Sequence, residues 1–390
     1  MSQERPQDKS NNNSNKNDKD TVVESTTSTT ASSSSHSAVP IPFVSFILTG
    51  FGPFGGVPDN PTSIIVNGMK EYLTCSSSSS KINRDDNDDN RSENWKKELL
   101  PHLQHCLVLE TSAHAVKEAF HDNDDDNDGG RGEIANLVRE NLTKTTTTTR
   151  TTTSKHSTTT PIITVLLHLG VNYQGTQIQL EECSYNDATF RIPDQRGYQP
   201  YKEPIIYGHF NKDKNNNSSM SPPPLFGSCL KTSINVHQLC HDLNQCISND
   251  SNNSSAVVAA TTTTNAANLR GGGGAVTDAT TSRTNLSSNN TIVTVSTDPG
   301  RFICNFLIYT SLSKYQHTTT STSTSNNHED DILSSSSTPS SKPVVPKRLV
   351  HSLFVHVPPF NSTKYNCGKD EQFYYIATIM DKLKSCNYFS

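Results

Sequence analysis

Five polar side chains in this chain stand where spacing gives them chemical potential. Cys304 follows the strand-like run TIVTVS (291–296) and the turn Asp298-Pro299-Gly300, at the start of an expected helix. The positive end of a helix dipole lowers a thiol's pKa and raises its thiolate fraction. A buried structural cysteine fits the same spacing. His356 lies beside Val355 and Val357 near the carboxyl end of LVHSLFVHV (349–357), and Pro358-Pro359 stops the strand just after it. A lone strand histidine is usually a satisfied core residue, but strand ends are where open α/β sheets bind ligands. Glu181 and Glu182 interrupt the apolar strand IQLEEC, and a carboxylate there needs a partner. Alternation does not say which of the two points inward. Arg191 shares a short loop with Pro193 and Asp194, where the bland alternative is a surface Arg–Asp pair. A dipole-activated thiol, an imidazole base, an orienting carboxylate and a cation near the carbonyl oxygen are the parts of a thiol hydrolase. The chain order Glu, Cys, His does not argue against it, because such triads recur in many orders.

Two other motifs carry less. Gly50-x-Gly52-x-x-Gly55 follows a strand and matches the dinucleotide fingerprint literally. A phosphate-cradling turn should open straight into a helix, whereas Pro53, Pro58 and Pro61 push the helix start downstream. Phe51 and Phe54 in this segment are either ordinary core residues or the walls of a small flat apolar pocket. Asp124-x-Asp126-x-Asp128-Gly129 matches half a calcium loop, but the twelfth position is Ala135 rather than the bidentate Glu. It reads as a solvated tract.

The elements that must position these residues alternate between strands and helices. Residues 41–48 (IPFVSFIL) read as a strand, and Asn60-Pro61-Thr62 as a helix start with Pro61 at the first helical position. Ser112 suits the cap of the short helix AHAVKEAF, and 133–142 reads as another helix. Residues 161–170 (PIITVLLHLG) form a near-continuous apolar run, as in a strand buried on both faces. A further strand is expected over Thr176–Cys183, a loop over 190–200, helical spacing over 226–246 and a buried strand over 291–296. Asp298 is expected as the N-cap of the helix carrying Cys304, with Pro299 its first residue. Phe373, Ile376, Met380 and Leu383 recur at helical spacing near the C-terminus. The alternation implies an α/β fold with a mostly parallel sheet covered on both faces.

Composition bounds the domain count. The chain has 390 residues, of which only 31% are hydrophobic, and its mean hydropathy is -0.61. Ser, Thr and Asn runs account for the shortfall, at 1–39, 76–98, 121–132, 143–160, 211–222, 247–290 and 317–342. Without them roughly 200 residues remain, the size of one compact α/β domain. The expected organisation is a disordered tail over 1–40, then a single domain over 41–390 interrupted by polar tracts in surface loops. Loop-closure entropy tolerates such insertions. Net charge is -5, from 33 Lys+Arg against 38 Asp+Glu, so no basic face for nucleic acid is advertised. No apolar stretch approaches ~18 residues, and no apolar signal core opens the chain. Nine cysteines at irregular spacing, with no Cys-x-x-Cys pair, fit free thiols in a reducing compartment. A soluble cytoplasmic protein is the expectation.

At these same residues the sequence resembles the pyroglutamyl peptidase I family of cysteine peptidases. The matching blocks are TGFGPFGGVPDNP (49–61), HLGVN (168–172), LEECSYNDATFRIPDQRGYQP (180–200), STDPGRFICNFLIYTSL (296–312) and SLFVHVPPF (352–360). The ATFR, GRF-x-CN and SLFVHVP wording is most similar to the plant and protist branch. The resemblance spans nearly all the apolar blocks, in order, and fails only in the polar tracts. It implies a three-layer α/β/α, phosphorylase/hydrolase-like fold. It also implies removal of N-terminal pyroglutamyl residues from peptides through a thioester on Cys304, with His356 as proton carrier. The family's Glu precedes an Arg by ten residues, which selects Glu181 with Arg191 over Glu182. Phe51 and Phe54 match aromatics that hold the pyrrolidone ring, and Ile192, Phe302 and Ile303 match other pocket positions. Pro299 stands where the family usually has Ala, a change tolerated at a helix's first position.

Three other readings compete: a catalytically weak relative that binds blocked peptides, a nucleotide-handling enzyme suggested by the glycine motif, and an assembly scaffold working through its tracts. The first conflicts with the intact Glu181, Arg191, Cys304 and His356; the second leaves Cys304 and His356 without roles.

Overall fold

Strand β1 (Phe43–Phe51) is buried along nearly its whole length, because it has a strand on each side and a helical layer on each face. In the computed structural model the described residues are 42–55, 58–75, 89–122, 131–143, 162–207, 224–249, 291–316, 349–360 and 368–389. The tail over 1–40, the half calcium loop at Asp124–Gly129 and most of the polar tracts lie outside them.

β1 pairs in parallel with β2 (Leu103–Leu109) and β3 (Ile162–Val171), and β3 pairs in parallel with β8 (Leu349–Val357). β4 (Ile178–Glu181) joins β8 antiparallel and carries β7 (Val293–Ser296) parallel to itself at the edge. The strand order is β2-β1-β3-β8-β4-β7. The sheet is mostly parallel, with helices on both faces, as expected. A separate ribbon pairs β5 (Cys183–Tyr185) with β6 (Cys229–Lys231).

Period-two alternation sorts the side chains into two cores. Val44, Phe46 and Leu48 of β1 face α1 (Pro61–Thr74), helix α5 (236–249) and α7 (Lys369–Lys384). On that side Leu99, ending α2 (Asp89–Leu99), is also buried. Ile47 and Phe51 face the other way, with α3 (Ala113–Ala119), α4 (Glu133–Thr143) and α6 (Ile303–Gln316). The result is a three-layer α/β/α sandwich. Leu353, Val355 and Val357 of β8 belong to the first core and Phe354 to the second, so His356 shares the α6 face with Phe354.

Local signals governed by capping hold. Pro61 opens α1 behind the Asn60 cap, whose side chain accepts from the Thr62 N–H at 3.0 Å. Ser112 caps α3, accepting from the Ala115 N–H at 3.1 Å. In α7, Phe373, Ile376, Met380 and Leu383 are all buried.

Other expectations are corrected. The strand over Thr176–Cys183 is two strands in two sheets. At Glu182 the chain leaves β4, bonding to the Ser296 carbonyl at 2.8 Å, and enters the ribbon. Only Val293 of β7 is buried, because that strand is the sheet edge and not a central member. The 226–246 stretch begins with a turn and β6, and its helix starts at 236. Three tracts yield residues to helices: α2 takes the end of 76–98, α4 the first residue of 143–160 and α5 the start of 247–290. There Ile247 is buried, and Trp95 packs edge-on against Tyr374. The helix bearing Cys304 starts at Ile303 and not at Pro299. Gly300 adopts φ +78°, which breaks helical continuation, and Asp298 closes its own turn by accepting from the Gly300 N–H at 3.1 Å.

Candidate active site

Glu181 and His356 meet across the one antiparallel seam of the large sheet. In its register Gln179 lies opposite His356 and Glu181 opposite Phe354. The two site residues are therefore diagonal neighbours with side chains on one face, the spacing at which long side chains touch. His356 Nδ1 lies 2.6 Å from Glu181 Oε1. Glu181 is fully buried, and its second oxygen, Oε2, has no partner among the described residues. His356 is thus its one partner, and a carboxylate on Nδ1 holds the proton there. That leaves Nε2 for the opposite side of the ring.

Cys304 supplies that opposite side. It is the second residue of α6, half-buried, and it lines the same cavity as His356, close enough for its sulfur to act on the imidazole's charge. Burial alone pushes the imidazole's pKa down. The charge of Cys304, then the hydrogen bond and charge of Glu181, outweigh burial and raise it to about 10. At the start of α6 the first backbone N–H groups have no intrahelical acceptor; the Phe302 carbonyl already receives the Phe306 N–H at 3.1 Å.

Gly170 makes room for the sulfur. It pairs with His356 in the β3–β8 register, and a Cβ there would lie 2.9 Å from Cys304 Sγ and 2.6 Å from the Phe354 ring. Any side chain at 170 displaces the thiol or the aromatic floor beneath it. Asn305, next to Cys304, clamps the helix start. Its amide donates to the carbonyls of Tyr185 (2.8 Å) and Asp187 (2.9 Å), and accepts from the Ser184 hydroxyl (2.7 Å) and Tyr185 N–H (2.9 Å). All four of its capacities are used while it is fully buried. Nothing in spacing marked Gly170 or Asn305; each depends on a partner distant in sequence.

The thiol opens into a cavity of about 960 Å³. Its walls include Phe51, Phe54, Arg191, Ile192, Phe302 and Ile303, and both Cys304 and His356 line it. The sequence-derived residues thus gather in one place, with Glu181 behind His356. Phe54 and Phe302 have ring centroids 5.4 Å apart, and Phe302 packs edge-on against Phe190 at 4.7 Å. The Phe51 backbone is held by the Thr62 hydroxyl, at 3.0 Å from its N–H and 3.1 Å from its carbonyl. Asn60 fastens the Gly52 carbonyl at 2.9 Å. These bonds fix the aromatic loop to α1.

They also dispose of the glycine motif. A Cβ on Gly50 would lie 2.9 Å from the Thr62 carbonyl oxygen and from Val66, so this glycine permits strand–helix contact. The α1 N-terminus is occupied by its own Asn60 cap, not held open for a phosphate.

One surface pair differs from the bland expectation. Asp194 does not pair with Arg191; it accepts from the Ala113, Arg196 and Tyr198 N–H groups at 2.9, 3.0 and 2.9 Å. The Arg191 guanidinium is exposed on the cavity wall, with no side-chain partner among the described residues. Arg301, the other cation there, is engaged by Asp298 at 2.6 Å and Asp187 at 3.3 Å. Glu182 turns outward to Lys231 at 2.8 Å. Among the described residues no cluster of three metal-ligating side chains occurs, and no helix is long and apolar enough to cross a membrane.

No family model and no curated protein matches the chain. Among solved structures, the pyroglutamyl peptidase I of Bacillus amyloliquefaciens matches at 12% identity, covering 89% of this chain and 98% of that one, with a TM-score of 0.42. The pyrrolidone carboxyl peptidase of Fervidobacterium islandicum AW-1 matches at 17% identity, covering 87% and 98%, with a TM-score of 0.40. That of Thermococcus litoralis matches at 15% identity, covering 89% and 94%, with a TM-score of 0.40.

Proposed function

We propose that this chain is a cysteine exopeptidase that removes N-terminal pyroglutamyl residues from peptides, with residues 41–390 as a single peptidase domain. The observation that carries the reading is the series Glu181–His356–Cys304, with the sulfur at a helix N-terminus and open to an aromatic-walled cavity. The five sequence blocks of the family resemblance supply the substrate.

The Cys304 sulfur, its proton passed to His356, attacks the pyroglutamyl carbonyl. The tetrahedral oxyanion is offset by N–H groups in the first turn of α6 and by the unpartnered Arg191. His356 then gives its proton to the leaving amine, and the C–N bond breaks to leave a thioester. A water molecule, deprotonated by His356, hydrolyses the thioester and restores the thiol. Glu181 holds Nδ1 protonated throughout and balances the imidazolium. Pyroglutamate is small, flat and uncharged, which suits a slot between Phe51, Phe54 and Phe302, with Ile192 and Ile303 beside it. No step calls on a metal or cofactor. All eight described cysteines are free thiols, and the reaction needs Cys304 reduced, which fits a cytoplasmic setting.

The test uses the reduced full chain and a peptide beginning with pyroglutamate. Mass spectrometry should show loss of that single residue. One equivalent of iodoacetamide should label Cys304 and stop the loss in proportion to labelling. Cleavage that persists after complete Cys304 labelling would rule the reading out.

A further inference from the structure

The cavity has a second wall that the chemistry above leaves unused. After β3 the chain turns through Asn172, Tyr173 and Gln174, which line the cavity, to Gly175. The turn is rigidly built. The Asn172 N–H donates to the Val357 carbonyl at 3.0 Å, and the Asn172 carbonyl accepts from Gly175 at 2.9 Å. Its side-chain oxygen accepts from the Gln174 and Gly175 N–H groups, both at 3.1 Å, while its Nδ2 donates to Gln179 at 2.9 Å. Tyr173 is presented at the tip, 56% exposed. It has no hydrogen bond or ring contact among the described residues. The charge of Cys304 adds to burial in raising its hydroxyl pKa, so the phenol stands within electrostatic reach of the sulfur.

Sheet order decides which side of the sulfur this turn occupies. β3 carries Gly170, beneath Cys304. Phe51 comes from β1, on one flank of β3; the turn is bonded to β8 and β4, on the other flank, which also carries His356 and Glu181. The leaving amine takes its proton from His356, so the leaving half of the substrate lies on that flank. Volume agrees. At about 960 Å³ the cavity lies near the top of the roughly 300–1,000 Å³ range that holds drug-sized ligands. That is several times what one five-membered lactam fills.

We infer that Tyr173 is a specificity-determining residue for the position after the pyroglutamyl group, stacking its ring on an aromatic side chain there. The inference rests on the peptidase reading, and adds the substrate class: pyroglutamyl peptides whose second residue is aromatic. Offset or edge-on aromatic pairs are worth about 0.5–1.5 kcal/mol, equivalent to roughly two- to tenfold in kcat/KM.

The test compares pyroglutamyl-phenylalanine amide with pyroglutamyl-alanine amide on wild type, Tyr173→Ala and Tyr173→Phe. Wild type should prefer the phenylalanine substrate about two- to tenfold. Tyr173→Ala should lose that preference while its rate on the alanine substrate stays within about twofold, and Tyr173→Phe should keep the preference. The within-enzyme ratio is independent of how much protein folds. Turnover without a wild-type preference, or a preference unchanged in Tyr173→Ala, overturns the inference and leaves the peptidase standing. No turnover of either amide by folded wild type overturns both.

Discussion

His168 and His356 sit on neighbouring strands two register positions apart, since His168 pairs with Phe354 and His356 with Gly170. Both rings contact α6 from the same face of the sheet, and both are buried. Their electrostatics are opposite. His168 is held by neutral hydroxyls, Thr49 at 2.7 Å and Ser311 at 3.1 Å, and burial pushes its pKa down to about 3. His356 is held between a carboxylate and a sulfur, and its pKa rises to about 10. Burial is common to both, so partners decide the charge. One ring is a neutral strut that ties β1, β3 and α6 together, with Ser311 passing the contact to Ser352 of β8 at 2.5 Å. The other stays protonated between the Glu181 carboxylate and the Cys304 sulfur, and is the proton carrier of the proposed reaction.

Removing the partners should break the contrast at the His356 end first. Glu181→Gln keeps the shape and removes the charge. It should lower kcat by about 10²–10⁴, the usual worth of a positioned acid–base pair. It should also move the alkaline limb of the pH–rate profile downward, because the protonated ring is then lost at lower pH. The sign follows from the raised pKa: protonated His356 persists through neutral pH and disappears as pH climbs through about 10. Stability linked to this ring is likewise full below about 6.5 and lost toward 10. A pH–rate profile that keeps its alkaline limb in Glu181→Gln would contradict the assignment of charge.

The His168 end should respond in stability rather than rate. His168→Asn leaves hydroxyls unpaired and a void, at about 2–3 kcal/mol by denaturant titration at pH 7, with kcat of the folded fraction nearly unchanged. Because folded His168 resists protonation, the unfolded chain takes the proton first as pH falls below about 6.5. Wild type should therefore lose on the order of 3 kcal/mol from this ring between pH 7 and pH 4. The variant should not, so the gap between the two narrows in acid. A constant gap would show that the ring is not held neutral.

Smaller still, Ser311→Ala removes one hydroxyl from the strut and should cost about 1 kcal/mol. Its effect on kcat should be below about twofold, because Cys304 is clamped separately by Asn305. A large rate loss in Ser311→Ala would mean that the strut positions the sulfur.

What the sequence discloses about this contrast is uneven. Caps at Asn60 and Ser112 are legible because donor and acceptor lie within three residues. The buried run of β3 is legible as a strand, but nothing in PIITVLLHLG says that His168 meets hydroxyls while His356 meets a carboxylate. Glu181 and Glu182 are indistinguishable by alternation, since the chain changes sheets between them; in the structure Glu181 turns inward to His356 and Glu182 outward to Lys231. The start of α6 is misread because Asp298-Pro299 carries a good cap signal, and the +78° turn at Gly300 overrides it. Gly170 and Asn305 fall inside the quoted blocks HLGVN and GRF-x-CN, but spacing alone gives them no role, because their meaning lies in contacts over 100 residues away along the chain.

The most direct test of the central claim is hydrolysis of a fluorogenic pyroglutamyl amide by the purified, reduced full chain, with Cys304→Ala and His356→Ala alongside. Turnover by wild type, absent from both variants while circular dichroism reports an intact fold, is the expected result. A folded, reduced wild type that releases no fluorophore would contradict the account.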